Sequence, residues 1–406
     1  MKKRLPLLLC LLLCLLCACS PGRSSEPAPT PAPTPVPTPE PTPEPTPPPV
    51  EISGKSFAWD TETIDLSSAS PCRADELADA LLALPELREL DLTGWPLTDE
   101  EQFRLLRDYP GISFRWDVEL FGMTVNSADE LVCLDGIAME DTTALEEKLP
   151  LLAAVRRFDM CDCGPDDEAM YALTQRWPDH RFVWKAHIGT FTFRTDITSF
   201  CMNTVGAKIH ATSDGLNEQM RYFPDLIAVD FGHSGLNITD LEWVKWLPHL
   251  QILIAIGCDI RDLTPLAELK ELTYLELFTN RYLVDISPLA GCTALQDLNL
   301  SLTDVADLTP LYGLENLNRL WVNGCRKLTA EEVDAFYYAM PDCRISFILN
   351  STGALNGWRL DDRYFWMRDV FEAYYMPVTS ELMYGMKQPN YYYPEGEPRK
   401  WDLPEE

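Results

Sequence analysis

An Asp–apolar–x–Pro–Leu pentad returns three times in this chain, as DLTPL at 262–266, DISPL at 285–289 and DLTPL at 307–311. The intervals are 23 and 22 residues. Catalytic side chains have no reason to recur at a fixed period, whereas a stacked structural unit does. Beside each pentad lies Leu-x-x-Leu-x-apolar, with lead residues Leu226, Leu250, Leu272, Leu295 and Leu317 separated by 24, 22, 23 and 22 residues. A short strand would turn the residues at offsets 0, 3 and 5 into a core shared between neighbouring coils, none of which can bury its leucines alone. Eight residues past each lead stand Ser234, Cys258, Asn280, Thr303 and Cys325. There the chain must turn away from the strand, and a polar or sulfur side chain can satisfy backbone groups the turn leaves unpaired. The pentad falls on the return path, where its Asp caps a tight turn and its proline fixes φ at the start. Stacking also sets Cys258 and Cys325 three coils apart, about 14 Å at strand spacing, too far for a disulfide.

This pattern resembles the leucine-rich repeat, most closely the 22-residue class of internalin-like bacterial surface proteins, over residues 226–330. The resemblance implies an α/β fold, a solenoid with a parallel sheet on its concave side. In each strand the core positions alternate with outward ones. The outward set includes Ile252, Ile254, Tyr274, Glu276, Phe278, Asp297, Asn299, Arg319 and Trp321, with Ile254, Glu276, Asn299 and Trp321 forming one row. Exposed aromatic and arginine anchors are what protein interfaces favour, so these nine residues are the candidate ligand-binding face. The alternative is that a flanking loop or the C-terminal cap folds over the isoleucines.

A longer self-similarity flanks the array. Residues 89–122 parallel 157–189: Asp91 and Asp159 each precede a proline by 19 residues (Pro110, Pro178), and Phe-x-Trp follows in both. A third copy runs from Val322 to Pro341. Each unit reads strand, loop, acidic helix start, amphipathic helix, proline, strand. Residues 51–225 are therefore expected to form helix-bearing coils interrupted by β-hairpins such as 114–125, with a separate α/β domain as the alternative. Residues 226–347 form the array. Residues 348–384, containing GWRLDDRYFWMRDVF, are expected to cap the open end of the solenoid, and 385–406 to be a disordered tail.

The N-terminus stands outside the fold. Lys2, Lys3 and Arg4 precede an apolar run too short for a comfortable membrane span, which reads as a secretory leader over 1–18. Leu16-Cys17-Ala18-Cys19 resembles the lipobox of bacterial lipoproteins, which implies a diacylglyceryl anchor on Cys19; Cys17 departs from the usual Ala or Ser. An ordinary leader cut near Ala18 is the alternative. Residues 19–50 follow as a tether, in which 21–50 hold 14 of the chain's 33 prolines. As polyproline II that tether spans about 90 Å, enough to hold a domain clear of a membrane surface.

The whole chain carries a formal charge of −30; losing the three leader cations makes it −33. Nucleic acid is excluded as a partner, because it needs a basic face; cationic partners or divalent ions fit the sign. Nine cysteines follow Cys19 (72, 133, 161, 163, 201, 258, 292, 325 and 343), scattered as neither a disulfide framework nor a zinc site. Cys163 falls in the eighth slot counted from Val155, a structural position. No nucleophile elbow, zincin motif, phosphate loop or dinucleotide fingerprint occurs, and the five histidines share no ligand spacing. No cofactor or metal is expected. The reading is a lipid-anchored surface module that binds an unidentified protein or envelope ligand. The alternative is an envelope-associated enzyme, or a structural envelope component, with its site in 51–225.

Overall fold

The computed structural model describes residues 47–201, 212–232, 238–349, 357–371, 392, 394 and 395. The leader, Cys19, most of the tether, Ser234 and nearly all of 385–406 lie outside them. Pro49 onward is one compact unit.

That unit opens on a hairpin of β1 (Val50–Ile52) and β2 (Lys55–Phe57). Three parallel sheets follow. The first joins β3 (Thr63–Asp65), β4 (Glu89–Asp91) and β5 (Ser113–Arg115). Its return paths carry α1 (Ala74–Leu81) and α2 (Asp99–Asp108). The ladder then stops at a hairpin of β6 (Asp117–Leu120) and β7 (Met123–Asn126).

The second sheet repeats the plan with β8 (Leu131–Cys133), β9 (Arg157–Asp159) and β10 (Arg181–Val183). Its return helices are α3 (Thr143–Glu146) and α4 (Asp167–Arg176), and its hairpin is β11 (Lys185–Ile188) with β12 (Phe191–Arg194). Each hairpin is closed at its base by one tryptophan. Trp116 and Trp184 accept from Ser127 and Thr195 N–H at 2.8 Å, and their own N–H groups donate to the two hydroxyls. Residues 114 and 115, expected inside the first hairpin, instead pair in parallel with β4, and the hairpin starts at Asp117.

The third sheet has seven parallel strands in chain order: β13 (Ser199–Cys201), β14 (Ala228–Asp230), β15 (Ile252–Ile254), β16 (Tyr274–Glu276), β17 (Asp297–Asn299), β18 (Arg319–Trp321) and β19 (Arg344–Ser346). α5 (Ser213–Gln219) follows β13, and α6 (Ala330–Ala339) precedes β19. The expected boundary at 225/226 therefore falls inside a continuous sheet. One hydrophobic core runs from Ile52 to Ile345, so 51–225 is not packed as a separate domain.

The molecule is an α/β leucine-rich repeat solenoid. Val229, Leu253, Leu275, Leu298, Leu320 and Ile345 are successive register partners in that shared core. The eighth-slot side chains hold the turns as their chemistry requires. Asn280 donates to the carbonyls of Ala255 and Leu277 and accepts from Ile260 N–H. Thr303 donates to Leu300 O, and the thiols of Cys258, Cys325 and Cys163 reach Phe231 O, Leu300 O and Leu134 O. No disulfide joins any two of the nine described cysteines.

On the return path, Asp262, Asp285 and Asp307 each accept the N–H two residues on at 2.8 Å, opening a 3₁₀ turn whose early proline is preorganised. The coils approach so closely there that a Cβ on Gly291 would meet Ala267 O at 2.3 Å. The acidic helix starts are caps: Thr98 and Glu101 form a reciprocal capping box at α2, while Asp166 and Thr329 cap α4 and α6. Pro110, Pro178 and Pro341 follow α2, α4 and α6, which proline cannot continue.

Candidate functional site

Period-2 alternation in these strands creates a second set of residues, on the side away from the core. On the third sheet they form two rows. One runs Ser199, Ala228, Ile252, Tyr274, Asp297, Arg319, Arg344; the other runs Cys201, Asp230, Ile254, Glu276, Asn299, Trp321, Ser346. The second row contains the expected alignment of Ile254, Glu276, Asn299 and Trp321.

Exposure differs from expectation. Ile252, Ile254, Tyr274, Glu276, Phe278, Asp297, Asn299, Arg319 and Trp321 are all buried. They lie under a C-terminal segment: a turn at Trp358–Leu360 followed by α7 (Asp362–Val370). This segment was expected to close the open end of the solenoid, but it lies on the strand side instead. The apolar outward residues explain the placement. Ile252, Ile254, Ile256, Tyr274, Phe278 and Trp321 form a separate hydrophobic cluster with Trp358, Tyr364, Met367 and Phe371. Leaving that surface wet would cost about 25 cal/mol per Å². Its visible signal was the apolar outward run itself, which needs a cover or a partner.

The polar part is a buried charge network. Arg319 donates to Asp297 Oδ1 at 2.5 Å across the ladder, and its Nη1 donates to Trp358 O at 3.1 Å. The other Asp297 oxygen accepts from Arg363 at 2.9 Å. Asp361 pairs with Arg344 at 3.0 Å and approaches Arg319 at 3.8 Å. The Arg319 guanidinium stacks 4.0 Å from the Trp358 ring centroid. Beside it, Glu276 Oε1 accepts from Tyr274 Oη at 2.5 Å and from Trp358 Nε1 at 2.7 Å.

Burial raises the Glu276 carboxyl above its ordinary value, with the two hydrogen bonds pulling the other way. It pushes the Tyr274 hydroxyl up as well, aided by the neighbouring carboxylate. Burial works most strongly against the charge on Arg319, yet Asp297, Tyr274 and Asp361 together outweigh it and the guanidinium is held more firmly protonated.

The first two sheets present the same side differently. On the first sheet the outward residues are Thr63, Asp65, Glu89, Asp91, Ser113 and Arg115, lining a shallow groove of about 300 Å³. Arg115 reaches Asp91 at 3.4 Å. On the second sheet Arg157 and Arg194 interleave with Asp159 and Asp196 at 2.6 to 3.0 Å. Burial disfavours the Asp159 charge, but both guanidiniums outweigh it and hold the carboxyl below its usual range. Cys133, on this face, is exposed.

The remaining candidates for chemistry are structural in placement. His180 is buried with Nδ1 2.7 Å from Val155 O, and burial pushes the Cys161 thiol up to about 11. Among the described residues no three His, Cys, Asp or Glu side chains gather as a metal site, and no helix is long and apolar enough to cross a membrane. Tyr392, in the stretch expected to be a disordered tail, is docked. Its N–H donates to Ile345 O at 2.7 Å on β19, and its hydroxyl bonds to Asp334 at 2.7 Å.

No protein-family profile and no curated protein matches the chain. Solved structures that resemble it include an internalin of Listeria monocytogenes, with 20% identity over 68% of this chain and 66% of that one and a TM-score of 0.33. A leucine-rich repeat protein of Leptospira interrogans gives 16% identity over 66% and 57%, with a TM-score of 0.34. An internalin C2 of Listeria monocytogenes gives 24% over 39% and 76%, with a TM-score of 0.29. The chain thus spans less than two thirds of the first two proteins.

Proposed function

We propose that this chain is a bacterial surface recognition module, lipid-anchored through Cys19, that binds protein with the strand side of its solenoid. One observation carries the reading. The inward residues supply the continuous core, and on β15–β18 the outward rows hold a second, structured segment through indole, carboxylate and guanidinium contacts. The first sheet leaves the equivalent face uncovered and patterned with charge, which favours specificity and steering more than raw affinity. The basic leader, the Leu-Cys-Ala-Cys stretch and the proline tether support display at a membrane surface.

A photoreactive residue at position 89, on the open strand face, or at position 285, on the return path, tests the binding reading in cells that make the protein. Discrete protein adducts from position 89 and none from 285 are expected; adducts from 285 alone would refute it. Cys19→Ala tests the anchor: the variant is expected in the soluble fraction, and retention at the membrane to the parent's extent would refute lipidation.

A further inference from the structure

The segment at 357–371 is a ligand of the strand face with an unusual defect. Along this face and within the segment, six buried nitrogens have no acceptor: Asn299 Nδ2, Asn323 Nδ2 and Arg319 Nη2 on the sheet side, and Arg359 Nε, Arg363 Nη2 and Arg368 Nε on the segment. Asn299, Asn323 and Arg319 are fully buried. Buried donors without partners are costly, and native cores rarely collect them in one place. The deficit is one-sided: only donors are left over here, so what the face lacks is acceptors.

The contacts that do satisfy it define a short recognition element. Trp358 brings an indole that meets Trp321 edge to face and Tyr274 at a tilt, with centroids 5.2 and 5.6 Å away, and it donates to Glu276. Asp361, three residues on, brings the carboxylate for Arg344 and Arg319.

Resting on the recognition reading above, we propose that the face of β15–β18 is a receptor for an acidic, tryptophan-bearing segment of another protein, of the form Trp-x-x-Asp, and that residues 357–371 occupy it as a displaceable stand-in. The partner segment keeps the indole and the carboxylate and adds acceptors for the three sheet donors, Asn299 Nδ2, Asn323 Nδ2 and Arg319 Nη2, while the three bare arginine nitrogens of the resident segment return to water with it. The chain's own segment sets a threshold, because a ligand must first replace it and so binds with an affinity reduced by the fraction of molecules that are closed.

The test uses the full chain carrying Trp358→Ala and Asp361→Asn, which weakens the resident segment and leaves the sheet intact. The probe is a fluorescent peptide of sequence 357–371, read by anisotropy. It is expected to bind the variant at least tenfold more tightly than the parent, and the same peptide with Trp358→Ala is expected not to bind. A natively folded variant that ignores the peptide overturns the proposal. So does a variant that excludes the peptide by dimerising, since the occupant would then be a second copy.

Hydrogen exchange on the unmodified parent keeps the proposal testable if the variant does not fold. Amides of 362–370 are expected to exchange at least a hundredfold faster than those of β15–β17. Equal protection would make the segment permanent core and end the proposal. Adducts from position 89 that persist alongside either failure would leave the broader recognition reading standing.

Discussion

The first sheet and the third are built from the same unit and finish differently. Both stack parallel three-residue strands on one continuous core. On the first, every outward position is polar: Thr63, Glu89 and Ser113 in one row, Asp65, Asp91 and Arg115 in the other. Water satisfies them, and the face stays open. On the third, Ile252, Ile254 and Tyr274 stand beside Asp297, Arg319 and Glu276. Water cannot cover the former cheaply, and once they are covered the latter must find partners inside. The chain supplies both from 357–371. The lesson is that the inward pattern of a repeat fixes the fold, while the outward pattern decides whether its working face is free.

The largest expected effect lies on the closed side. Arg319→Ala leaves Asp297 buried with half its pairing gone, and removing one partner of a buried pair costs about 3–5 kcal/mol. Arg115→Ala on the open side breaks a solvent-exposed pair worth about 0–1 kcal/mol. Urea unfolding of the two variants measures the contrast, and equal losses would mean that the two faces are not distinct environments.

Glu276 gives a smaller, pH-dependent difference. Its folded-state value lies above the ordinary 4.5, so its contribution is fully present below that value and is lost as pH rises through the raised one. Gln retains an acceptor for Tyr274 and Trp358 without an ionisation. Glu276→Gln is therefore expected to gain stability relative to the parent between pH 4 and pH 7. A difference that does not change with pH would show that the carboxyl is not held up by burial. Smallest of all is Asp65→Asn on the open face. Its carboxyl is lowered chiefly by hydrogen bonds from Ser67, and the substitution is expected to leave the unfolding midpoint within error at neutral pH.

How much of this was legible follows the range of each interaction. The pentads, the eighth slot and the acidic helix starts are local: Asp285 caps Ser287, two residues away, and Thr98 meets Glu101 three residues on. Register followed from the period, because a stacked repeat places equal offsets side by side. The cover on the third sheet was not readable in the same way. Trp358 meets Glu276 across 82 residues, and nothing in WRLDDRYFWM says whether its aromatic side chains close the end of a solenoid or its face. Whether 51–225 runs on into the array stayed open for a related reason: β13 carries Ser199, Phe200 and Cys201 in place of the leucine signature. Eight of the nine candidate residues stand in the two outward rows, and they are buried under 357–371, the cover that stood as the alternative to an exposed face.

Two native thiols test the central claim, that one face is open and the other closed, without any engineered probe. Cys133 and Cys201 are each the last residue of the first strand of a sheet, β8 and β13. Cys133 is exposed, while Cys201 is buried in the cluster that includes Trp358, Met367 and Phe371. Alkylation of the native protein, resolved by mass spectrometry, is expected to modify Cys133 first and to spare Cys201 until Trp358→Ala loosens the cover. Cys201 reacting in the parent as fast as Cys133 would contradict the account.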